Sequence, residues 1–470
     1  MEPPMPLEVL TPDQASPSGS GLRHNVLSPL ETLSQSISAI APTTSPALTI
    51  PAVFALAGNG TWLAYVLAGA ATCLMALCIA RFARISASPG SLYQFAADLL
   101  PPLGSRTAGW ALLLAYIATG ASVVGGFLNY ARVLIPQAHA IPSPVIALGA
   151  TAAAAAFAYR DVQASARLML WIEAASVSII VLVVSALLLR NGPHIDLPQL
   201  QLHAVTPSGV RLGVVLALFS FAGFESATTL GHEARNPLRT IPRAVIQSAL
   251  LAGLLFLTCA YAETLGFRQL HQDLGSTQAP FRPLSALAHL PVFGLLIDIG
   301  AFVSMFACTL ACITAAARVL LKMAHDGLVH SHLGRAHTSN GTPHLAVLAS
   351  ALAILLLAAG LAARGASGAD IYAWMGSLAV YGFITAYFLV AAALPFYLRR
   401  RAQLTPAAIA LAIAGALAML LAMAGTLYPV PAAPYNVLPY IYLAYLLAGL
   451  AWFHLSPRRR HTTPPQELSS

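Results

Sequence analysis

The chain has 470 residues, of which 58% are hydrophobic and only 9% are charged. A soluble chain of this length would need far more charge to cover its surface, so an ordinary globular protein is excluded. The net charge of +8 falls mainly between apolar runs of about 20 residues, which argues for membrane topology and against nucleic-acid binding. The composition therefore predicts an all-α polytopic membrane protein in a lipid bilayer.

The two ends of the chain differ from its apolar middle. Residues 1–29 are rich in proline and serine and lack a basic start followed by an apolar core. They predict a disordered cytoplasmic N-terminal tail and not a signal peptide. Residues 457–470 predict a cytoplasmic C-terminal tail, and the transmembrane domain is expected at residues 30–456.

Twelve apolar runs are long enough to predict transmembrane helices. With the N-terminus placed inside, 18 of the 24 lysine and arginine residues fall on the inner side. This asymmetry predicts a multi-pass protein of the cell (inner) membrane with both termini in the cytoplasm. The runs lie at roughly residues 31–56, 61–83, 107–131, 144–159, 168–189, 209–230, 243–266, 293–320, 342–363, 370–396, 405–426 and 434–455.

The first span is interrupted by prolines. It contains Ala41-Pro42-Thr43-Thr44-Ser45-Pro46, and two prolines four residues apart cannot both lie in a regular helix interior. The amides of residues 41–45 and the hydroxyls of Thr43, Thr44 and Ser45 could then bind a carboxylate. The alternative is a proline kink that binds nothing.

The sixth span carries a second interruption, Phe219-Ser220-Phe221-Ala222-Gly223-Phe224-Glu225. Gly223 weakens the helix and lets other atoms approach its backbone. Glu225 is ionisable at a depth where such a group costs on the order of 3 kcal/mol. The carbonyls around Phe219, Ser220 and Ala222 could bind an ammonium group. The alternative is a packing glycine beside a hydrogen-bonded Glu225.

The two interruptions occupy corresponding positions if spans 1–5 and 6–10 are inverted repeats. Broken helices expose amides at one half-helix and carbonyls at the other, and a zwitterion needs both. The pattern therefore favours an amino acid substrate, and the absence of a deep arginine or a spare acidic cluster favours a neutral one. The predicted substrate-binding residues are Ala41, Thr43, Thr44, Ser45, Phe219, Ser220, Ala222 and Gly223.

The connection after the sixth span carries a longer motif, Gly231-His232-Glu233-Ala234-Arg235-Asn236-Pro237-Leu238-Arg239-Thr240-Ile241-Pro242-Arg243. With residues 219–225, it resembles the signature of the amino acid–polyamine–organocation (APC) superfamily of permeases: an aromatic-rich GFE, then E-x-x-NP-x-R-x-x-P. A second stretch resembles the family's approach to its third span: Pro89-Gly90-Ser91-Leu92-Tyr93, then Gly109-Trp110 and Tyr116. The first span resembles family members that carry an A-P segment where others have glycines.

The resemblance implies a LeuT-type fold of two inverted five-helix repeats, at about residues 30–190 and 209–396. Two C-terminal helices would follow at about residues 405–455. It also implies a substrate pocket between broken helices 1 and 6, and alternating access driven by an ion gradient or by exchange. In the family, the first aromatic residue of the sixth-span motif gates the pocket, which maps to Phe219. The motif glutamate, here Glu225, is associated with proton sensing.

Glu173, in the fifth span, is a second candidate for proton coupling. Some family members place a lysine near this point, but here the position is Glu and Lys322 is the only lysine. A carboxylate in the bundle could load and release a proton. The alternative is a structural hydrogen bond or an ion pair, for instance to Arg167. Glu263 and Asp298 are expected to be interfacial or gate residues near the outer ends of their spans.

A sodium site is the competing coupling scheme, with hydroxyls from Ser304, Thr309 and Thr314. The chain shows no metal-binding, P-loop or nucleophile–base pattern, so neither an enzyme nor a cofactor is predicted. The favoured function is a secondary transporter of neutral amino acids, coupled to protons. The alternatives are an exchanger of polyamines or cationic amino acids, and an amino-acid-binding sensor or channel without active transport.

Overall fold

Helices make up almost all of the part of the chain that the computed structural model describes. That part comprises residues 25–86, 91–97, 100–160, 162–192, 195–231, 233–335, 342–428, 430–431 and 433–455. The α-helices are α1 (Pro29–Ile40), α2 (Ile50–Ala57), α3 (Thr61–Ala83), α4 (Ser91–Ala97), α5 (Pro102–Leu134), α6 (Ser143–Arg160), α7 (Val162–Asn191), α8 (Leu197–Leu200), α9 (Pro207–Ser220), α10 (Pro237–Leu270), α11 (Phe281–Leu287), α12 (Pro291–His325), α13 (His344–Ala363), α14 (Gly368–Arg400), α15 (Pro406–Leu427) and α16 (Leu438–Leu455). A π-helical turn covers Ser45–Thr49, and a 3-10 turn covers Ser226–Leu230.

The long helices have the length and composition of membrane spans. Among the described residues, nine helical stretches are long and apolar enough to cross a bilayer, the first being the 55-residue stretch Pro29–Ala83. Large apolar side chains point outward, as at Leu254 (68% exposed), Leu356 (64%) and Leu421 (72%). Such surfaces would be an aggregation hazard in water and are suited to lipid. The prediction of an all-helical, polytopic membrane protein is confirmed.

The bundle has a buried centre and a lipid-facing periphery. In its apolar window, α5 is 89% buried and α14 is 72% buried, whereas α15 and α16 are only 28% and 22% buried. The central helix α5 packs along both α14 and α12, while α3 packs along α10. The interrupted helices α1 and α9 lie inside this arrangement, where backbone polar groups can be exposed to protein rather than to lipid.

Some predictions concern parts of the chain outside the described residues. Most of the N-terminal tail, the C-terminal tail at 457–470, and Pro89 and Gly90 of the second motif belong to this group. The side chain of Arg167, the alternative partner of Glu173, also lies outside the described part. These predictions remain as they stand.

Candidate functional site

The first helix is broken at the predicted prolines. Helix α1 ends at Ile40, and Ala41 adopts the left-handed conformation with φ 51°. The residue before a proline is pushed out of the α region, and Pro42 brings no N–H of its own, so the chain cannot continue as a helix here. The chain resumes helical geometry in the π-helical turn, whose Ser45 carbonyl accepts from the Ile50 amide.

The sixth span is broken at the predicted glycine. Helix α9 ends at Ser220, and turns lead from there to the 3-10 turn. Gly223 has φ +95°, a conformation that side chains with a Cβ rarely adopt. A Cβ built on Gly223 would lie 2.7 Å from the Cβ of Ala39 and 3.0 Å from the Ala39 carbonyl carbon. The two breaks therefore face each other, with Gly223 of the second break packed directly against Ala39 beside the first.

This contact gives a direct prediction. Gly223→Ala should lower the free energy of unfolding by about 1–3 kcal/mol, because it strains the backbone and pushes the two breaks apart. The transport rate expected from the sequence analysis should fall together with the stability. The matched control is Gly149→Ala in α6, where an added Cβ meets nothing within 4 Å. That control should stabilise the helix by about 0.5–1 kcal/mol. Unfolding of both variants in detergent tests the difference, and equal stabilities would contradict the close packing.

Polar groups without partners line the first break. The hydroxyls of Thr43 and Thr44 are buried and have no hydrogen-bond partner among the described residues. By contrast, the amides of Ala41 and Thr44 are used within the turn: Ala41 donates to Ile37 and Ser38, and Thr44 donates to the Ala41 carbonyl. Of the predicted donors, the Ala41 and Thr44 amides are thus engaged within the turn, while the Thr43 and Thr44 hydroxyls have no partner among the described residues.

The second break presents carbonyl oxygens. The Phe219 carbonyl accepts from the Ala222 amide at 3.0 Å. In the described part of the chain, the carbonyls of Ser220 and Ala222 accept no backbone hydrogen bond. Ser220 is also held through its side chain, because the Tyr65 hydroxyl lies 2.9 Å from the Ser220 Oγ. The arrangement places hydroxyls on one break and available carbonyls on the other.

Phe219 lies between the second break and α14. Its ring packs edge-on against Tyr372 with the ring centroids 5.7 Å apart. A Cβ on Gly376 would lie 2.6 Å from the Phe219 ring, so glycine is needed for this close packing. The Tyr372 hydroxyl in turn lies 2.7 Å from Thr49 Oγ1 in the π-helical turn. Phe219 and Tyr372 thus connect both breaks to α14.

Glu225 is buried and bonded on both carboxyl oxygens. Tyr116 of α5 donates to Oε1 at 2.8 Å, and Tyr387 of α14 donates to Oε2 at 2.5 Å. Two phenol donors stabilise a carboxylate inside the bundle and fix the second break to both central helices. This geometry matches the alternative prediction of a hydrogen-bonded Glu225 beside a packing glycine.

Glu173 is bonded on one side only. Ser304 of α12 donates to Oε1 at 2.7 Å, while Oε2 has no partner among the described residues. Glu173 also lines a largely apolar groove of roughly 490 Å³ between α1, α7 and α10, which touches Ile40 and Pro42 at the first break and has the exposed Leu254 in its wall. Glu173 therefore combines a single hydrogen bond with a position in the wall of a groove beside the first break.

Two of the hydroxyls proposed for sodium donate hydrogen bonds within the protein, which leaves their oxygen lone pairs free. Ser304 donates to Glu173, and Thr309 donates to the Met305 carbonyl of its own helix at 2.9 Å. Across the described residues, no group of three or more His, Cys, Asp or Glu side chains could hold a metal ion. A sodium site built from hydroxyl and carbonyl oxygens at these residues stays a prediction.

The motif connection after the second break is anchored by a buried ion pair. The Arg318 guanidinium donates to Glu233 through Nε at 2.6 Å and Nη2 at 2.8 Å, and both side chains are almost fully buried. Leu27, just before α1, donates to the Glu233 carbonyl and accepts from the Arg235 amide. The connection thereby ties α12 to the start of the first helix.

The two carboxylates expected to be interfacial or gate residues are both buried but have different partners. Asp298 forms an ion pair with Arg282 at 2.5 Å. Neither oxygen of Glu263 has a partner among the described residues. Helix α10 continues beyond Glu263 to Leu270, and the gate role of both carboxylates stays a prediction.

Sequence reasoning missed several tyrosines that shape the site. Tyr65, Tyr372 and Tyr387 each bond a group at one of the breaks or Glu225. Their sequence neighbourhoods are ordinary apolar helix, so only the partner across the bundle distinguishes them. Tyr116 was visible as part of the second motif, although its bond to Glu225 was not.

Two facing helix breaks inside a bundle of apolar helices define a multi-pass membrane transporter. Residues 32–460 match the family model described as Amino acid permease, so the chain belongs to the amino acid permease family. This family and the curated relatives are named as permeases and transporters and not as enzymes, and amino acids are the substrates that the family description names.

Curated relatives agree with this family. The branched-chain amino acid permease BcaP of Bacillus subtilis is 27% identical over 62% of this chain and 65% of its own length. BcaP of Lactococcus lactis is 26% identical over 69% of this chain and 74% of its own length. Cationic amino acid transporter 4 of Mus musculus is 24% identical over 64% of this chain and 50% of its own length. The matched regions thus cover 65% of the length of the B. subtilis protein and 50% of the length of the mouse protein.

Proposed function

We propose that this permease carries neutral amino acids by alternating access and couples their transport to protons. The observation that carries the proposal is the pair of facing breaks, with unpartnered Thr43 and Thr44 hydroxyls on one side and open Ser220 and Ala222 carbonyls on the other. Hydroxyl donors suit a carboxylate, and carbonyl oxygens suit an ammonium group. Ala41, Ser45 and Gly223 shape the two breaks, and Phe219 closes over the site.

The neutral side-chain preference rests on what surrounds the breaks. Each oxygen of Glu225 already accepts from a phenol, Tyr116 or Tyr387, which makes this carboxylate a weaker partner for a second substrate cation. Two relatives are named as branched-chain amino acid permeases, which is compatible with a neutral substrate. The similarity to cationic amino acid transporter 4 is the reason to retain a second candidate function, the exchange of cationic amino acids or polyamines.

Glu173 is the better candidate for the proton site. A coupling carboxyl must gain and lose a proton, and Glu173 has one unpartnered oxygen and lines a groove, whereas Glu225 is held by two donors. Glu225 is then the structural anchor of the second break. Sodium coupling remains the competing scheme, which the transport test distinguishes.

The wider architecture belongs to the same proposal. The Pro29–Ala83 stretch holds two spans separated near Gly58–Gly60, α9 is a shorter apolar helix, and α6 is a further helix of 18 residues. Counting these supports twelve spans, arranged as a LeuT-type pair of inverted five-helix repeats plus α15 and α16. Both termini would then lie in the cytoplasm, with the protein in the cell membrane.

Reconstitution into liposomes tests the proposal. Labelled leucine and alanine should accumulate under an inward proton gradient and not under a sodium gradient of equal size. Excess arginine or putrescine should compete poorly, and the reverse order would favour the second candidate. Ligand binding without flux would indicate a sensor, and an ion conductance that does not saturate would indicate a channel. Absence of flux for every amine-bearing solute would overturn the transport function.

A further inference from the structure

Glu263 differs from every other buried carboxylate described above. Glu173, Glu225, Glu233 and Asp298 each accept at least one hydrogen bond. Glu263 is 0% exposed, and neither of its oxygens has a partner within the described part of the chain. A buried polar group of this kind requires an explanation, such as a bound proton, an ion or water.

Two phenols connect the surroundings of Glu263 to the two helix breaks. The Tyr65 ring on α3 lies 6.0 Å from the ring of Phe256, two turns before Glu263 on α10. The charge of Glu263 acts on Tyr65 and on Tyr130 of α5, and Cys259 lies one turn before it on α10. Tyr65 is hydrogen-bonded to Ser220 at the end of α9, and Tyr130 donates to the Ala47 carbonyl in the π-helical turn at 3.5 Å. Asp298, with its partner Arg282, faces Tyr130 from α12.

The surroundings select a proton over a metal ion or a fixed counter-charge. No arginine, lysine or histidine forms an ion pair with Glu263 among the described residues. A bare carboxylate in this interior would be strongly unfavourable. A metal cation prefers about six oxygen ligands, whereas the two phenols are already bonded elsewhere. A proton neutralises the group without further ligands.

We infer that Glu263 is a proton-binding site whose occupancy controls the hydrogen bonds of both helix breaks. With the proton bound, the carboxyl is neutral, and Tyr65 and Tyr130 keep their hydrogen bonds to Ser220 and to the Ala47 carbonyl. When the proton leaves to water admitted by helix movement, the carboxylate needs donors, and the O–H groups of Tyr65 and Tyr130, on which its charge acts, can supply them. When these O–H groups turn towards the carboxylate, their hydrogen bonds to Ser220 and Ala47 are broken. The link to substrate rests on the proposed function, but proton binding itself does not.

Infrared spectroscopy of the purified protein tests proton binding without any substrate. A protonated carboxyl free of hydrogen bonds absorbs at the high-frequency end of the carboxylic acid range. Wild type minus Glu263→Gln at neutral pH should show such a band, above any band removed by Glu173→Gln. Because the wild-type group is neutral, Glu263→Gln should also unfold at nearly the wild-type temperature. No band lost from the variant, or a strong loss of stability, would overturn the inference.

The pH dependence of amino acid binding tests the coupling. Above the pH at which Glu263 loses its proton, the affinity of the wild-type protein for an amino acid should fall by about tenfold per pH unit for one linked proton. Glu263→Gln should lack this pH-dependent fall in affinity. Tyr65→Phe should make the fall less steep while keeping the infrared band. An unchanged fall in affinity in both variants, with the band present, would contradict the coupling and leave the transport function intact. Failure of amino acid binding altogether would contradict the proposed function instead.

Discussion

Glu173→Gln is expected to abolish accumulation driven by a proton gradient while exchange across the membrane continues. Glutamine keeps the shape of the side chain and can still accept from Ser304, but it cannot carry a proton between the two sides. One coupled proton under a gradient of one pH unit supports about tenfold accumulation, so the variant should fall from about tenfold to none.

The measurement is uptake of labelled substrate into liposomes with and without a proton gradient, alongside exchange of internal for external substrate. Glu31→Gln is the matched control. Glu31 completes the capping box of α1 with Ser28, a role that glutamine also fills, so this variant should accumulate substrate normally. Full accumulation by Glu173→Gln would move the coupling role to Glu225 or Glu263.

Arg318→Met is expected to lower the free energy of unfolding by about 3–5 kcal/mol. The substitution leaves Glu233 buried without its counter-charge, and the Glu233 carbonyl also holds Leu27 in place before α1. The desolvation of that carboxylate is then uncompensated. Arg318→Met combined with Glu233→Leu should recover most of the loss, because it removes the buried charge itself.

The control for this pair is Lys322→Met on the same helix. Lys322 pairs with Asp326 one turn away, but both side chains are partly exposed, so its loss should cost about 0–1 kcal/mol. Thermal and denaturant unfolding of the four proteins in detergent would measure the differences. Equal stabilities of Arg318→Met and Lys322→Met would show that the buried pair does not anchor the connection.

The carboxylates illustrate what sequence reasoning could and could not reach. Burial of Glu225 and Glu173 in apolar spans was evident from their neighbours, but their partners were not. Tyr116 and Tyr387 lie 109 and 162 residues from Glu225, and Ser304 lies 131 residues from Glu173. The complete burial of Glu263 was not evident from its place near the end of a span, because it depends on the packing of α10 against α3 and α1.

The amino-acid sequence by itself determined the apolar helices and the positions of both breaks. Those features are local: bilayer length sets the apolar runs, prolines remove backbone donors near Pro42, and only glycine accepts the backbone of Gly223. The tertiary structure alone decided which groups at the breaks are free to bind substrate and which carboxylates are anchored. Those properties depend on hydrogen bonds between distant segments, which no local pattern in the chain encodes.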